Sequence, residues 1–461
     1  MLNVPSEIDV LVVGAGLAGY CAAYEASLHG ASVLICEKLA QAGGSTALSS
    51  GFFAFSGTDL QHNQGIVDNG DMLLRDLIIA GGGLSDPSIL QVYVDQQLAT
   101  YDWLKTLGMT FKAVQLSSAQ SVPRTHPLPI QMLMDTLHSK LVNELGVQLL
   151  YQTSVCQLLP DNNTGYINGV RCQYLNEQFT IKVSKGVILA TGGFSRSEAM
   201  LKQYAPSQAE GVRYGGQGNT GDGIHMGLAL GAELKDMHVV KGTFGFHPKA
   251  ATDPGENWTK LPVYRGGIAV NKLGQRFMDE SQSYKLLGDC TLQQPGAIAY
   301  QVFDQAIMDD APDGVPPFDF RSAHRRGLML YGNTIAELAV AIGCDPIELE
   351  STVNRYNQAI VQGIEPEFNR SSLSAGFGIC PTLAQPPYYA YPSASGIIAT
   401  YCGLAIDTQA RVLHTNGHAF ENLFAVGEVM GGFHGNSYMT GTALGKCVIF
   451  GRIAGQTVSR L

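Results

Sequence analysis

The 461-residue sequence contains no apolar run approaching the roughly 18–20 residues that a membrane span requires, which argues against a helical membrane protein. Basic residues are in the minority. Against 39 Asp and Glu stand 29 Lys and Arg, giving a formal net charge of −10, so neither nucleic acid nor an anionic membrane surface is an expected partner. No CxxC pair occurs, and the nine cysteines are scattered and odd in number. A disulfide framework and a zinc site are therefore not implied, and free thiols in a reducing compartment are the simpler reading. The opening residues MLNVPSEIDV have neither the basic nor the apolar stretch of a secretory leader, so a cytoplasmic location is expected. There is no low-complexity tract and no internal repeat.

Glycine is abundant, with 54 residues, which suggests many close backbone approaches to a ligand. The most ordered use falls between Asp9 and Lys38. Residues 10–13 are an apolar run of the kind that forms a strand buried on both faces. Gly14-Ala15-Gly16-Leu17-Ala18-Gly19 follows at once, then a helical stretch over 21–28 stopped by Gly30, then a second apolar run over 31–36 ending at Glu37. Gly14 permits the tight turn, Gly16 lets the backbone approach a pyrophosphate at the helix N-terminus, and Gly19 lets helix and strand pack closely. Glu37 can accept hydrogen bonds from a ribose diol. The unit reads as an adenine dinucleotide site.

Further along, Gly43, Gly44, Ser45, Thr46, Ser49, Ser50 and Gly51 form a small, hydroxyl-rich segment suited to wrapping a pyrophosphate and a flavin ring. Residues 71–108 read as helical with a break at Gly81–Gly83, and 132–145 as an amphipathic helix. Strand-like runs follow at 147–151, 166–174 and 179–184. A buried strand at 186–189 ends in the turn Ala190-Thr191-Gly192-Gly193, and Asn219 and Asp222 lead into a helix over 224–230. Residues 242–399 change character, with frequent prolines, aromatics and polar loops. The last sixty residues return to the pattern of the N-terminal part, with a strand ending at Gly427-Glu428, then Gly441, Thr442, Ala443 and Leu444 opening a final helix over about 446–458. The expected class is α/β: a Rossmann-like FAD-binding domain in two parts, 1–241 and 400–461, with an inserted α+β capping domain over 242–399. A C-terminal strand and helix that rejoin the first strand fit a long flavin dinucleotide better than NAD.

The chain resembles the fumarate reductase and succinate dehydrogenase flavoproteins and their relatives, flavocytochrome c and the 3-ketosteroid dehydrogenases. The resemblance spans nearly the whole chain. It is carried by VVGAGLAG with Glu37, GGST (43–46), ATGGF (190–194), NTGDGIHMG (219–227), His247-Pro248, RGGIAVNKLGQRFMDE (265–280), ENLFAVGEVMGGFHG (421–435) and GTALGKCVIFGRIAG (441–455). It implies FAD as cofactor, a split FAD domain, a capping domain and a substrate held against flavin N5. It also adds Ala18, Lys38 and Val155 to the cofactor contacts. Respiratory members attach their flavin through a histidine where Ser45 stands here, so non-covalent FAD is expected.

The dicarboxylate-binding set of that family is largely missing. Tyr284 stands where the family places its proton-donating arginine, Tyr438 stands for a second arginine, Leu261-Pro262 replace a Thr-Glu pair, and no histidine falls near Ala399. Of the set only His247 survives. A tyrosine followed two residues later by a hydroxyl, Tyr438 and Thr440, resembles the 3-ketosteroid 4-ene dehydrogenase branch. The expected chemistry is desaturation α,β to the carbonyl of a cyclic ketone, a 3-oxosteroid or a smaller 4-oxocyclohexanecarboxylate-like acid. Tyrosines serve such chemistry as donors to a forming enolate, or as bases when their pKa falls. Tyr438 and Tyr284 are the expected working pair, with Thr440 as relay or orienting hydroxyl, and which tyrosine abstracts the proton stays open. His247, Tyr401 and Cys402 are expected at the substrate, His247 with the alternative of a hinge. Arg124 and His126 are candidates for binding a substrate carboxylate, and Arg265 for linking cap to FAD domain. No metal is expected. The alternatives are an ene-reductase of an unsaturated acid or ketone, and an electron-transfer module. An electron acceptor outside the chain is expected in each case, since no haem or iron–sulfur cysteine motif occurs.

Overall fold

The computed structural model describes residues 4–251, 258–363, 367–374 and 378–461. The chain divides into two compact units. One comprises residues up to Ala205 with Gly215–Val240 and Ala399–Leu461, the other Pro206–Tyr214 with Lys241–Ile398.

The first unit is built on the apolar runs seen in the sequence. The strand Glu7–Val13, with Val10, Leu11 and Val12 fully buried, lies at the middle of the main sheet. Val33–Cys36 pairs parallel on one side, Val10 opposite Val33 and Val13 opposite Cys36. Glu177–Leu189 pairs parallel on the other, Val13 opposite Leu189. Beyond it comes Ala419–Ala425, also parallel, with Ala425 opposite Leu189. The four strand ends Val13, Cys36, Leu189 and Ala425 thus share one edge of the sheet, where ligands of parallel α/β sheets bind. Arg411–Leu413 and Gln148–Leu150 close the two sides. Thr153–Pro160 and Ile167–Tyr174 form an antiparallel extension.

The helix Leu17–Leu28 follows the first strand and packs on the C-terminal helix Thr442–Ser459. Small residues permit this approach: a Cβ at Gly455 would fall on the Ala22 carbonyl, and one at Gly451 would meet the Ala18 carbonyl. Between these helices Glu25 accepts from Arg452 Nε at 2.6 Å and Gln456 Nε2 at 3.0 Å.

The second unit is a mostly antiparallel sheet ordered Thr243–Phe246, Tyr388–Ile397, Ile298–Asp304, Ile268–Val270. Its larger core gathers Phe303, Phe320, Tyr356, Tyr389 and Tyr391; a smaller one gathers Phe244, Leu261, Met278 and Leu287 with Tyr264 and Tyr284 packed against it. Arg276 and Glu280 of the RGGIAVNKLGQRFMDE run form a buried ion pair at 2.7 Å, and Arg370 joins it while donating to the carbonyls of Val263 and Gly267.

The structure departs from the sequence reading at several places. The helical stretch near 71–108 is two helices, Gly70–Ala80 and Pro87–Thr106; the second starts cleanly because the Asp86 side chain accepts from Ser88 and proline occupies its first position. The expected helix over 132–145 is α-helical over Ile130–Ser139 and continues as a π turn over Lys140–Glu144. Glu177–Leu189 runs unbroken through Lys185-Gly186, where the sequence suggested two strands. The C-terminal helix begins at Thr442, within the segment the sequence reading has opening it, because Gly441 takes the left-handed conformation (φ 93°) and turns the chain into it. Residues 206–214 belong with the second unit, since Val212–Arg213 pairs with Tyr388–Ile397. Among the described residues no helix is long and apolar enough to cross a membrane.

Candidate functional site

A cleft with about 810 Å³ of empty space, open mouth included, lies at the shared strand edge of the first unit. Its floor is the glycine turn. Gly14 has φ +110°, and a Cβ there would fall on the Ala190 carbonyl, so the two strand ends approach as only glycine allows. Gly16 and Ala18 line the cleft at the start of the helix Leu17–Leu28, with Ala190, Thr191 and Gly192 opposite. Gly19 serves packing: its Cβ would fall on the Gly14 carbonyl.

Glu37 is fixed before any ligand enters. Its Oε2 accepts the Ala15 N–H at 2.9 Å and its Oε1 the Leu39 N–H at 2.9 Å, and the carboxylate lines the cleft. This suits an acceptor for a ribose diol. Lys38 also lines the cleft and is paired with Asp222 at 2.7 Å and Thr220 at 2.6 Å. Gly43, Gly44, Ser45 and Thr46 form another wall, with the Thr46 hydroxyl accepting the Leu17 N–H at 3.2 Å. Val155 lies on the wall formed by the strand Thr153–Pro160.

Polar side chains converge at the end of the cleft near residue 428. Ser45 Oγ accepts from the Gly216 N–H at 3.0 Å and Asn219 Nδ2 at 2.9 Å, and Asn219 Nδ2 also donates to Glu428 Oε2 at 3.0 Å. Glu428 Oε1 accepts the Thr400 N–H at 2.8 Å. Burial pushes the Glu428 carboxyl up, and pulls the nearby Lys446 ammonium down to about 8.

The remaining predicted cofactor residues lie outside the cleft lining. Ser49 Oγ accepts the Gly51 N–H at 3.0 Å, next to Ser50, and Gly51 has a positive φ of 73° against Leu128. Gly427 packs on Ala18. Gly441, Thr442, Ala443 and Leu444 form the start of the C-terminal helix. Conversely, the cleft is also lined by Val13, Cys36, Val426 and Cys447. Val13, Cys36 and Val426 adjoin the predicted turns at strand ends, and that position is the signal the sequence offers for them; Cys447 carries none.

Beside these groups in the first unit, an aromatic cluster assembles. Tyr438 stacks on Tyr401, centroids 5.2 Å apart and planes 16° from parallel, and His434 stands edgewise to Tyr401 at 5.1 Å. Tyr438 Oη accepts the Gly441 N–H at 3.0 Å. Thr440 is buried, with its backbone N–H donating to Ser118 and its carbonyl accepting from Gln120. Cys402 is fully buried, and burial pushes its thiol far above the ordinary range, away from thiolate chemistry.

Tyr284 and His247 belong to the second unit. Tyr284 is the first residue of the helix Tyr284–Leu292, capped by the Ser283 side chain. His247 is buried with its ring against Trp258 and Tyr391 at 5.8 and 5.5 Å, and its Nδ1 accepts the Lys249 N–H at 3.1 Å. Burial, with help from the Lys249 charge, pulls its pKa down to about 4.

Three further candidates find structural partners instead. Arg124 is fully buried; its Nε and Nη2 donate to both oxygens of Asp68 at 2.7 Å and its Nη1 to Asp76 at 2.6 Å. His126, also fully buried, bonds Thr58 and the Arg124 carbonyl. With its guanidinium fork closed on two aspartates, Arg124 is not presented to a substrate carboxylate. Arg265 pairs with Asp310 inside the second unit rather than with the FAD domain.

Residues 9–444 match the FAD binding domain family. A probable fumarate reductase, Ifc3, of Shewanella frigidimarina is 31% identical over 99% of this chain and 76% of its own length. The open conformation of a flavocytochrome c3 fumarate reductase superposes with a TM-score of 0.87 at 29% identity, covering 99% of this chain and 79% of that one. A 3-ketosteroid-Δ4-(5α)-dehydrogenase from Rhodococcus jostii RHA1 covers 100% of this chain and 99% of its own, with a TM-score of 0.76 at 26% identity. The glycine cradle, the oriented Glu37 and the size of the cleft suit the dinucleotide these likenesses specify. The chain belongs to the FAD-binding family that includes the fumarate reductases and is an FAD-dependent oxidoreductase of carbon–carbon bonds.

Proposed function

We propose that this enzyme desaturates a cyclic ketone α,β to its carbonyl. The observation that carries the reading is Tyr438: a phenol, stacked on Tyr401, whose oxygen accepts the Gly441 N–H at the start of the C-terminal helix. A backbone N–H donated to a phenol oxygen polarises its O–H and makes it a stronger donor. Aimed at a carbonyl oxygen, that O–H stabilises the charge that gathers there as an α-proton leaves. A donor engaged in this way suits a ketone better than the paired carboxylates of a dicarboxylate, which call for guanidinium forks.

Tyr438 is thus read as the donor, and Tyr284 as the base that takes the α-proton. Tyr284 heads a nine-residue helix, whose N-terminal dipole favours a phenolate. Thr440 orients the phenol or relays its proton. Tyr401 and His434 supply an aromatic wall for an apolar ring. Buried and neutral His247 is given a packing role in this reading, and Cys402 a wall without chemistry. FAD, when bound, accepts the hydride from the β-carbon, and electrons then leave to an acceptor outside the chain. Ser45, held by Gly216 and Asn219, is a poor group for covalent attachment, which supports non-covalent FAD. The likeness to the Rhodococcus steroid dehydrogenase over almost the full length of both chains supports the ketone.

The runner-up is an ene-reductase of an unsaturated acid or ketone. It is favoured by the higher identity to a probable fumarate reductase and by a 29% identical urocanate reductase of Eggerthella lenta. Anaerobic mixing of the oxidised, FAD-loaded enzyme with 4-oxocyclohexanecarboxylate, a saturated 3-oxosteroid and succinate separates the two. Bleaching of the flavin by a ketone and not by succinate supports the desaturase. Inertness toward both ketones, with reoxidation of the dithionite-reduced enzyme by an enoate, overturns it in favour of the reductase.

A further inference from the structure

Gln120 has no part in the reading above. It sits half-buried in the loop between Gln115 and Thr125, which exchange both backbone hydrogen bonds at 2.9 and 3.0 Å. The loop is tied down at Ser121, whose N–H and hydroxyl donate to Asp76 at 2.8 and 2.6 Å, the carboxylate that also holds Arg124. The bonds of the Gln120 side chain fix which way its amide faces. Oε1 accepts the Ser117 N–H at 3.1 Å, a group that can only donate. Nε2 therefore faces the other way, and donates to Thr125 Oγ1 at 2.8 Å and to the Thr440 carbonyl at 3.0 Å. The Thr440 carbonyl and the Gly441 N–H belong to one peptide group. Its oxygen takes the Gln120 amide, and its N–H goes to Tyr438 Oη at 3.0 Å. Flanking bonds hold this peptide in place: the Thr440 N–H donates to the Ser118 carbonyl at 3.2 Å, and the Ala54 N–H to the Gly441 carbonyl at 3.2 Å. Ala54 is the strand partner of Thr125, so ribbon and loop bear on the turn together.

We propose that Gln120 is a positioning residue that orients and polarises the Thr440–Gly441 peptide, and through it the Tyr438 phenol. The inference rests on the reading of Tyr438 as the donor to the ketone. A donor on a peptide oxygen draws electron density toward that oxygen and makes the N–H of the same peptide a better donor, so hydrogen bonds in line strengthen one another. The Gly441 N–H in turn eases the build-up of negative charge on the phenol oxygen as its O–H is shared with the substrate carbonyl. Gln120, the peptide and Tyr438 thus form a chain with one direction, each member donating to the oxygen of the next. Without the glutamine amide the Thr440 carbonyl loses this donor. The peptide is then less firmly oriented, and the N–H that meets the phenol oxygen is a weaker one.

The test reads that peptide directly. Threonine precedes glycine only at Thr164-Gly165, Thr191-Gly192, Thr220-Gly221 and Thr440-Gly441. FAD-loaded protein labelled with 13C at threonine carbonyls and 15N at glycine therefore resolves these peptides alone, and Thr440→Ser removes the signal of interest and so assigns it. In Gln120→Leu the Gly441 amide proton is expected to move upfield as its hydrogen bond weakens. With it kcat for the ketone falls about three- to tenfold, the worth of one neutral hydrogen bond, while KM changes little. Gln120→Glu still accepts from Ser117 but has no amide to offer the carbonyl; it behaves as the leucine variant does, and stands in if that variant does not fold. In the Tyr438→Phe background Gln120→Leu costs nothing further, since the two act as one unit. A Gly441 resonance at its wild-type position in both Gln120 variants overturns the proposal. So does an equal loss of kcat with and without the Tyr438 hydroxyl, which leaves Gln120 as a tie between loop and turn. Full turnover by Tyr438→Phe overturns the underlying reading of the donor instead. The resonance, which is read without turnover, tells one failure from the other.

Discussion

Arg124 separates a structural from a substrate-binding reading most sharply, and Arg124→Met is the perturbation. The side chain is fully buried and makes three charge-assisted hydrogen bonds, two to Asp68 and one to Asp76. Its removal leaves two buried carboxylates. Asp76 retains the Ser121 N–H and hydroxyl, and Asp68 retains Gln61 Nε2, so neither is stripped of every partner. Breaking a buried pair by deleting one member is worth about 3–5 kcal/mol, and these remaining donors place the expected loss toward the lower end of that range. That is roughly a hundredfold in the folding equilibrium. Burial alone would raise Asp76, but hydrogen bonds from Ser121 and Arg124 outweigh it and hold the carboxyl below its ordinary value. The Asp76 share of stability is thus present above about pH 4 and fades as the pH falls through the folded-state value. Urea denaturation of the FAD-saturated protein, followed at pH 7 and then below pH 4, reads both effects. A loss under about 1 kcal/mol, or an intact fold with a selectively raised KM for an acidic ketone, refutes the reasoning and returns Arg124 to the substrate.

Other outcomes follow from the same geometry. Tyr438→Phe keeps the stack on Tyr401 but loses the hydroxyl, so kcat for the ketone falls about 10²–10³-fold while FAD stays bound; stopped-flow flavin reduction measures it. Gly193→Ala places a Cβ on Thr400 Oγ1 and Glu428 Oε1, displacing the carboxylate at the end of the cleft, and equilibrium titration should show FAD affinity reduced at least tenfold. His247, at about 4 when folded against an ordinary 6.5, stays neutral while its unfolded counterpart binds a proton. Stability is therefore fully present above about pH 6.5, declines as pH falls toward 4, and by linkage loses up to about 3 kcal/mol. In denaturation curves His247→Phe should flatten that dependence.

The fold is legible in the sequence where its signals are local. Val10 to Glu37 compresses strand, turn, helix, strand and acid into one unit, in which Gly14 is dictated by the Ala190 carbonyl and Gly19 by the Gly14 carbonyl. Burial makes the C-terminal ends of the four parallel strands read as plain apolar runs. The misread charged candidates and the strand over 212–213 share one cause, a partner remote in sequence. Nothing near Pro123-Arg124-Thr125-His126 announces that Asp68 and Asp76 will close the guanidinium fork, and nothing near Arg265 points to Asp310. Val212–Arg213 is too short to carry a period, so its pairing with Tyr388–Ile397 is invisible. Tyr438 and Tyr401 each stand out in the sequence, yet their stacking and the Gly441 N–H on the phenol depend on a turn whose shape spacing alone does not give.

The cleft draws its walls from strand ends and turns that are far apart in synthesis order: Val13 and Glu37 emerge early, Ala190 midway, and Val426, Glu428 and Cys447 close to the end. The strand Ala419–Ala425 completes the sheet edge and the helix Thr442–Ser459 packs on Leu17–Leu28, so the cleft has all its walls only when both are in place. Flavin retention is therefore expected to depend on the segment from Ala419 to Ser459 as much as on the glycine turn, and a protein clipped between Leu413 and Ala419 should lose its yellow colour although the unit from Asp9 to Lys38 is intact.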